Sequence, residues 1–224
     1  MPKKIIAMIP ARLGSQRLKQ KNLLEIEGEP IIVRAMRKAE GMNCFDEVWA
    51  NSDAQAVADL AAASGINFHR RPERLASSDA TSEDFVYEFL QKHPCDYLVQ
   101  LHSIAPLITR AEIAAFTDTL LSGEYDTLLS GVDEQIQCMM DNEPLNFSRD
   151  GMDATQELKP VQRISWSITG WKASSYIKTY EAKGCATFNG TMGFFPLSRP
   201  AGLVIKYEED YQMAVAMAAA GLGE

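Results

Sequence analysis

Residues 5–9, an unbroken apolar run closed by Pro10, limit the fold more than any other feature of the chain. A strand that is apolar at every position leaves no face for water. It belongs inside a sheet covered on both sides, the usual situation of a parallel strand. The residues that follow alternate strand and helix. Ile31, Ile32, Ala35, Met36 and Ala39 share one side of a helix opening at Pro30, and Gly41 ends it. Residues 48–50 read as a second strand, opening into the polar turn Asn51, Ser52, Asp53. A helix over 54–64 stops at Gly65, and a third strand covers 66–69. Thr81 with Asp84, and Thr109 with Glu112, have the spacing of capping boxes that open helices. Strands return at 97–101 and 127–132. This rhythm predicts a three-layer α/β fold, with a mainly parallel sheet, helices on both faces, and binding loops beyond the C-terminal ends of the strands.

Residues 135–163 break the rhythm, being polar, rich in Met, Asn and Asp, and interrupted by Pro144, Gly151 and Pro160. They read as an inserted arm on the single core of residues 1–224, serving as a lid or as a surface for a second subunit. Met139 and Met140 suit an interface there or a small local core. Beyond the arm, a helix is expected over 174–183, short strands near Ala186, near Gly193 and over 203–206, and a closing helix over 208–220.

The composition, 46% hydrophobic and 23% charged, is that of an ordinary folded protein. A net charge of −8 argues against broad nucleic-acid binding but leaves room for one basic pocket. Lys3 and Lys4 precede an apolar run too short for a signal peptide or a membrane span, so a cytoplasmic location is expected. Cys44, Cys95, Cys138 and Cys185 are far apart with no CxxC pair, which argues against zinc and disulfides and predicts four buried small apolar residues.

The loop over residues 11–22 holds Arg12, Arg17, Lys19 and Lys21 around Gly14, directly after the first strand. Fixed cations and backbone N–H groups there can meet the oxygens of a triphosphate and steady the charge on departing pyrophosphate. The alternative is a solvated basic loop. The loop has neither the GxxxxGK[ST] spacing of a P-loop nor GxGxxG.

Three segments in order resemble the CMP-sugar synthetases, especially the acylneuraminate cytidylyltransferases. Ile9, Pro10, Ala11, Arg12, Gly14, Ser15, Leu18, Lys21 and Asn22 match that family's first loop. Asn51, Ser52 and Asp53 match its STD turn. The segment from Arg71 and Pro72 through Leu75, Ala76 and Ser77 to Thr81 matches its RPxxLASD signature. The resemblance implies a nucleotidyltransferase that joins CTP to an acidic 2-keto sugar of the nonulosonic type and releases pyrophosphate with the help of Mg²⁺. A homodimer is also implied. Arg12 and Lys21 would act on the triphosphate as catalytic groups. Ala11, Arg12, Gly14, Ser15, Gln16, Lys21, Asn22, Ala76, Ser77 and Ser82 would bind the nucleotide. His102, Gln156 and Arg163 would bind the sugar, although His102 also admits a reading as a structural strand-end histidine and Arg163 as an ion-paired arginine.

The chain departs from the family at informative places. Gln16 and Lys19 stand where the family has Lys and Pro, and His102 and Ile108 stand where it has Gln and Arg. Val204 and Lys206 align with the aspartates that hold the metal, so no metal ligand is identified. Val204, Lys206, His102 and Ile108 favour the alternative of a relative that binds nucleotide or sugar without turnover.

Overall fold

The computed structural model describes residues 2–12, 14, 17–77, 80–151 and 154–224. In chain order its elements are β1 (Ile5–Pro10), β2 (Glu25–Ile26), β3 (Glu29–Pro30), α1 (Ile31–Ala39), β4 (Glu47–Ser52), α2 (Gln55–Ala63), β5 (Asn67–Arg70), α3 (Ser82–Lys92), β6 (Tyr97–Leu101), α4 (Arg110–Leu121), β7 (Thr127–Glu134), β8 (Met139–Met140), β9 (Glu143–Pro144), β10 (Val161–Lys172), α5 (Ala173–Lys183), β11 (Met192–Pro196) and α6 (Glu208–Ala219). Seven strands form one sheet in the order β11-β7-β10-β6-β1-β4-β5. All pair in parallel except β10, which runs antiparallel to both β6 and β7.

The apolar opening segment is the centre of this sheet. Ile6, Met8, Ala7 and Ile9 are all fully buried and point alternately to two cores. Ala7 and Ile9 pack with Ile32 and Met36 of α1, Val57 and Ala61 of α2, and Phe116 and Leu120 of α4. Ile6 and Met8 pack with Val86 and Phe89 of α3 and Tyr176 of α5. A third cluster seats Ala214 and Ala218 of α6 against Ile26, Ile31 and Leu107. The fold is therefore the expected three-layer α/β arrangement.

Both capping boxes form. Thr81 Oγ1 accepts from the Asp84 N–H while the Asp84 carboxylate takes the Thr81 N–H, and Thr109 and Glu112 repeat the exchange. Each satisfies donors that a helix start leaves open. Gly41 and Gly65 adopt φ of 66° and 67°, the left-handed backbone that ends α1 and α2.

Other expectations need correction. Residues 203–206 and Ala186 are not strands, and only Gly193 lies in one, β11. The Leu203 N–H bonds the Pro200 carbonyl and the Ile205 N–H bonds the Ile104 carbonyl, so these groups close turns and loops instead of a ladder. The last three residues of the arm segment, 161–163, already belong to β10 and pair with Val132 to Glu134 of β7. Before them lies the β8–β9 hairpin, with Met139 and Met140 58% and 64% exposed. The cysteines are not all buried: Cys185 is exposed and the other three are half-buried. No helix among the described residues is long and apolar enough to cross a membrane.

Candidate active site

The chain leaves β1 toward β4 and β5 on one side, then returns through α3 to β6 on the other. The loops after β1 and β6 therefore part in opposite directions and open a crevice between them, the usual ligand position in such sheets. A cleft of about 250 Å³ lies there, lined by Pro10, Ala11, Arg12, Lys21, Asn22, Arg71, Ser82, Phe85, Gln100, His102, Ser103 and Ile104. Its wall joins the loop after β1, the segment from Arg71 to α3, and the end of β6. These are regions far apart in sequence.

Asn22 braces the first of these. It is 7% exposed, donates from Nδ2 to the Arg12 carbonyl at 2.9 Å, and accepts at Oδ1 from Ser103 Oγ at 2.9 Å. Arg12 reaches across the opening, where its Nη1 donates to the Ser77 carbonyl at 3.3 Å. Lys21 is half-buried, and burial together with the charges of Arg17 and Lys206 holds its ammonium below the usual lysine range. An anion placed here would relieve that repulsion.

Arg71 is 3% exposed. Its Nε donates to Asn51 Oδ1 at 2.8 Å and its Nη2 to the Asn51 carbonyl at 3.0 Å, while its guanidinium stacks 4.0 Å from the Phe85 ring centroid. Burial lowers its pKa to about 10, which still leaves it cationic. Ser82 opens α3, whose positive end adds to the field along this wall.

On the floor, Gln100 is 2% exposed, and its Nε2 lies 2.9 Å from His102 Nε2 while its Oε1 has no partner. Burial, and secondarily the Lys21 charge, lowers the His102 pKa to about 4. The imidazole is therefore neutral near pH 7, a hydrogen-bonding group and a weak base.

Six of the residues proposed from the sequence thus meet at one cleft: Ala11, Arg12, Lys21, Asn22, Ser82 and His102. Ser77 adjoins it through Arg12. Gly14 and Ala76 do not line it, and Ser15 and Gln16 lie outside the described residues. Gln156 and Arg163 are exposed and away from it. The Gln156 carbonyl accepts from Gln135 Nε2 at 2.7 Å, and Arg163 Nε donates to Glu134 Oε1 at 2.9 Å. Arg71, Phe85, Gln100 and Ser103 were missed. Gln100 carried a signal, as the one polar residue inside the otherwise apolar strand YLVQL.

The Mg²⁺ implied by resemblance does not find a protein donor set among the described residues. A hard cation of this kind takes oxygen ligands, commonly including a carboxylate. Among the described residues no carboxylate lines the cleft, and no three His, Cys, Asp or Glu side chains converge. Val204 and Lys206 carry no suitable oxygen, and the Asp210 carboxylate accepts from the Lys206 and Tyr207 N–H groups at 2.8 and 2.9 Å.

A doubly wound α/β sheet with a cleft at its switch point has that cleft where ligands of such sheets bind, and its cationic lining suits an anionic one. The chain matches the family model described as cytidylyltransferase over residues 6–160, and it belongs to that family. It is 34% identical over 141 residues to N-acylneuraminate cytidylyltransferase of Escherichia coli O18:K1:H7, covering 62% of this chain and 31% of that protein. It is 35% identical over 109 residues to 3-deoxy-manno-octulosonate cytidylyltransferase of Chlorobium chlorochromatii, covering 48% and 42%. These and similar matches span 24% to 47% of the relatives' own length. The solved structure of CMP:2-keto-3-deoxy-manno-octonic acid synthetase complexed with CTP superposes with a TM-score of 0.72 at 18% identity, over 98% of this chain and all of that one, a likeness of fold.

Proposed function

We propose that the protein is a cytidylyltransferase that transfers CMP from CTP to an acidic 2-keto sugar and releases pyrophosphate. The observation that carries this reading is the joining of Arg12, Lys21 and Arg71 from two separate segments around one cleft at the switch point. Three cations converging there suit a polyanion such as a triphosphate, whereas a solvated loop requires no such convergence. In the proposed reaction the acceptor's anomeric hydroxyl oxygen bonds to the α-phosphorus, the bond from that phosphorus to the bridging oxygen breaks, and pyrophosphate leaves with the electron pair. Arg12 and Lys21 hold the leaving oxygens and stabilise their growing charge. The hydroxyl proton ends in bulk solvent, because His102 does not stay protonated near pH 7.

The two named relatives act on N-acylneuraminate and on 3-deoxy-manno-octulosonate, both acidic keto sugars, which supports this acceptor class. The nonulosonic type is the preferred reading within it, since the first-loop and LAS segments resemble that branch. A cytoplasmic homodimer using the arm is part of the same proposal. A second reading, nucleotide binding without turnover, draws on Val204 and Lys206. Saturation binding of CTP against ATP, GTP and UTP tests the core of the proposal. Preference for CTP is the expected result, and equal or absent binding would overturn it.

A further inference from the structure

We infer that the protein neutralises the triphosphate with its own cations, Lys206 among them, and supplies no ligand to a divalent metal ion. This rests on the reading of the cleft as a CTP site.

The segment before α6 closes against the loop after β1. The Arg17 guanidinium lies over the Tyr207 ring, 5.7 Å from its centroid, which brings the loop beside Lys206. The Asp210 carboxylate fixes the Lys206 and Tyr207 backbone N–H groups, so Lys206 is anchored at the mouth of α6. Its charge, with those of Arg17 and Arg12, acts on Lys21, so the four cations share one electrostatic field. Arg71 adds a fifth from the opposite wall.

No carboxylate among the described residues lines the cleft beneath this field. Asp210 spends one oxygen on the helix cap. Asp53, whose Oδ1 is buried without a partner, is not part of the cleft lining, and its charge acts on Arg71. A dication would meet repulsion from several cations and find no oxygen donor set among the described residues, whereas a nucleotide polyanion meets attraction throughout. Lys206 is exposed and on a flexible stem, so it can follow the phosphates as a mobile point charge. Any magnesium ion that enters does so on the nucleotide's own oxygens.

Calorimetric titration of the whole protein with CTP, in excess chelator and again in millimolar Mg²⁺, tests the inference. The dissociation constant in chelator is expected to stay within about threefold of that in Mg²⁺. Lys206→Gln, with its fold checked by circular dichroism and thermal melting, is expected to weaken binding in chelator about tenfold. Lys206→Asp is expected to weaken it further and to make binding improve on adding Mg²⁺. Binding by the original protein that collapses in chelator would overturn the inference, as would an unchanged affinity in Lys206→Gln. Mn²⁺ seen by paramagnetic resonance on the nucleotide-free protein, and lost in Asp53→Asn, would overturn it too. Absence of CTP binding under every condition overturns the functional proposal itself, a different outcome from binding that needs metal.

Discussion

Ser103 Oγ donates to Asn22 Oδ1 at 2.9 Å, and this bond ties the loop after β1 to the loop after β6. Asn22 then relays the restraint to Arg12 through the Arg12 carbonyl. Asn22→Ala is expected to lower stability by about 1–3 kcal/mol, the usual range when buried partners are left unsatisfied. It should also weaken CTP binding, because Arg12 loses its brace. Urea denaturation and calorimetry check both. A stable variant with unaltered CTP affinity would show that the brace does not organise the site.

Lys21→Ala should weaken CTP binding by about ten- to a hundredfold, the effect of losing one hydrogen bond to a charged group. The pH dependence has a definite sign. The ammonium is the binding form, and the Lys21 pKa is lowered by burial and by Arg17 and Lys206. CTP affinity should therefore fall as pH rises, beginning below the pH at which an ordinary lysine titrates. Proton uptake on binding should accompany this, measurable by calorimetry in buffers of different ionisation enthalpy. Proton release on binding would contradict it.

His102 is expected to titrate near 4 by nuclear magnetic resonance, against 6.5 for an unperturbed histidine. The folded value lies below the unfolded one, so the contribution to stability is fully present above about 6.5 and is lost as pH falls toward about 4. His102→Gln should flatten stability across that window relative to the parent. His93, whose pKa is also lowered by burial, remains in both proteins and cancels in the comparison. Parallel profiles for parent and variant would contradict the assignment.

The paired substitution Met139→Glu and Met140→Glu tests the arm. Light scattering should show a dimer for the parent and a monomer for the variant, because carboxylates on an apolar contact oppose its burial. Equal masses would separate the arm from any assembly.

The strand order beyond β1 was only partly legible in the sequence, for a physical reason. Periodicity and caps are local, so β1, α3 with Thr81 and α4 with Thr109 could be read directly. The reversed direction of β10 depends on pairings with β6 and β7 that no local pattern records. The same limit governs the site. Arg12, Lys21 and Asn22 stand together in one loop, whereas Arg71 and Gln100 join them only through the sheet. Arg163 shows the converse: its motif left a sugar contact and an ion pair both open, and in three dimensions it pairs with Glu134 on the neighbouring strand.

The most direct test of the central claim is pyrophosphate release from CTP in the presence of N-acetylneuraminate or 3-deoxy-manno-octulosonate, run beside Lys21→Ala. Release that requires both CTP and one of these acceptors, and that falls at least about tenfold in the variant, is the predicted result. Saturable CTP binding without release from any acidic keto sugar would contradict transfer and leave a nucleotide-binding protein in its place.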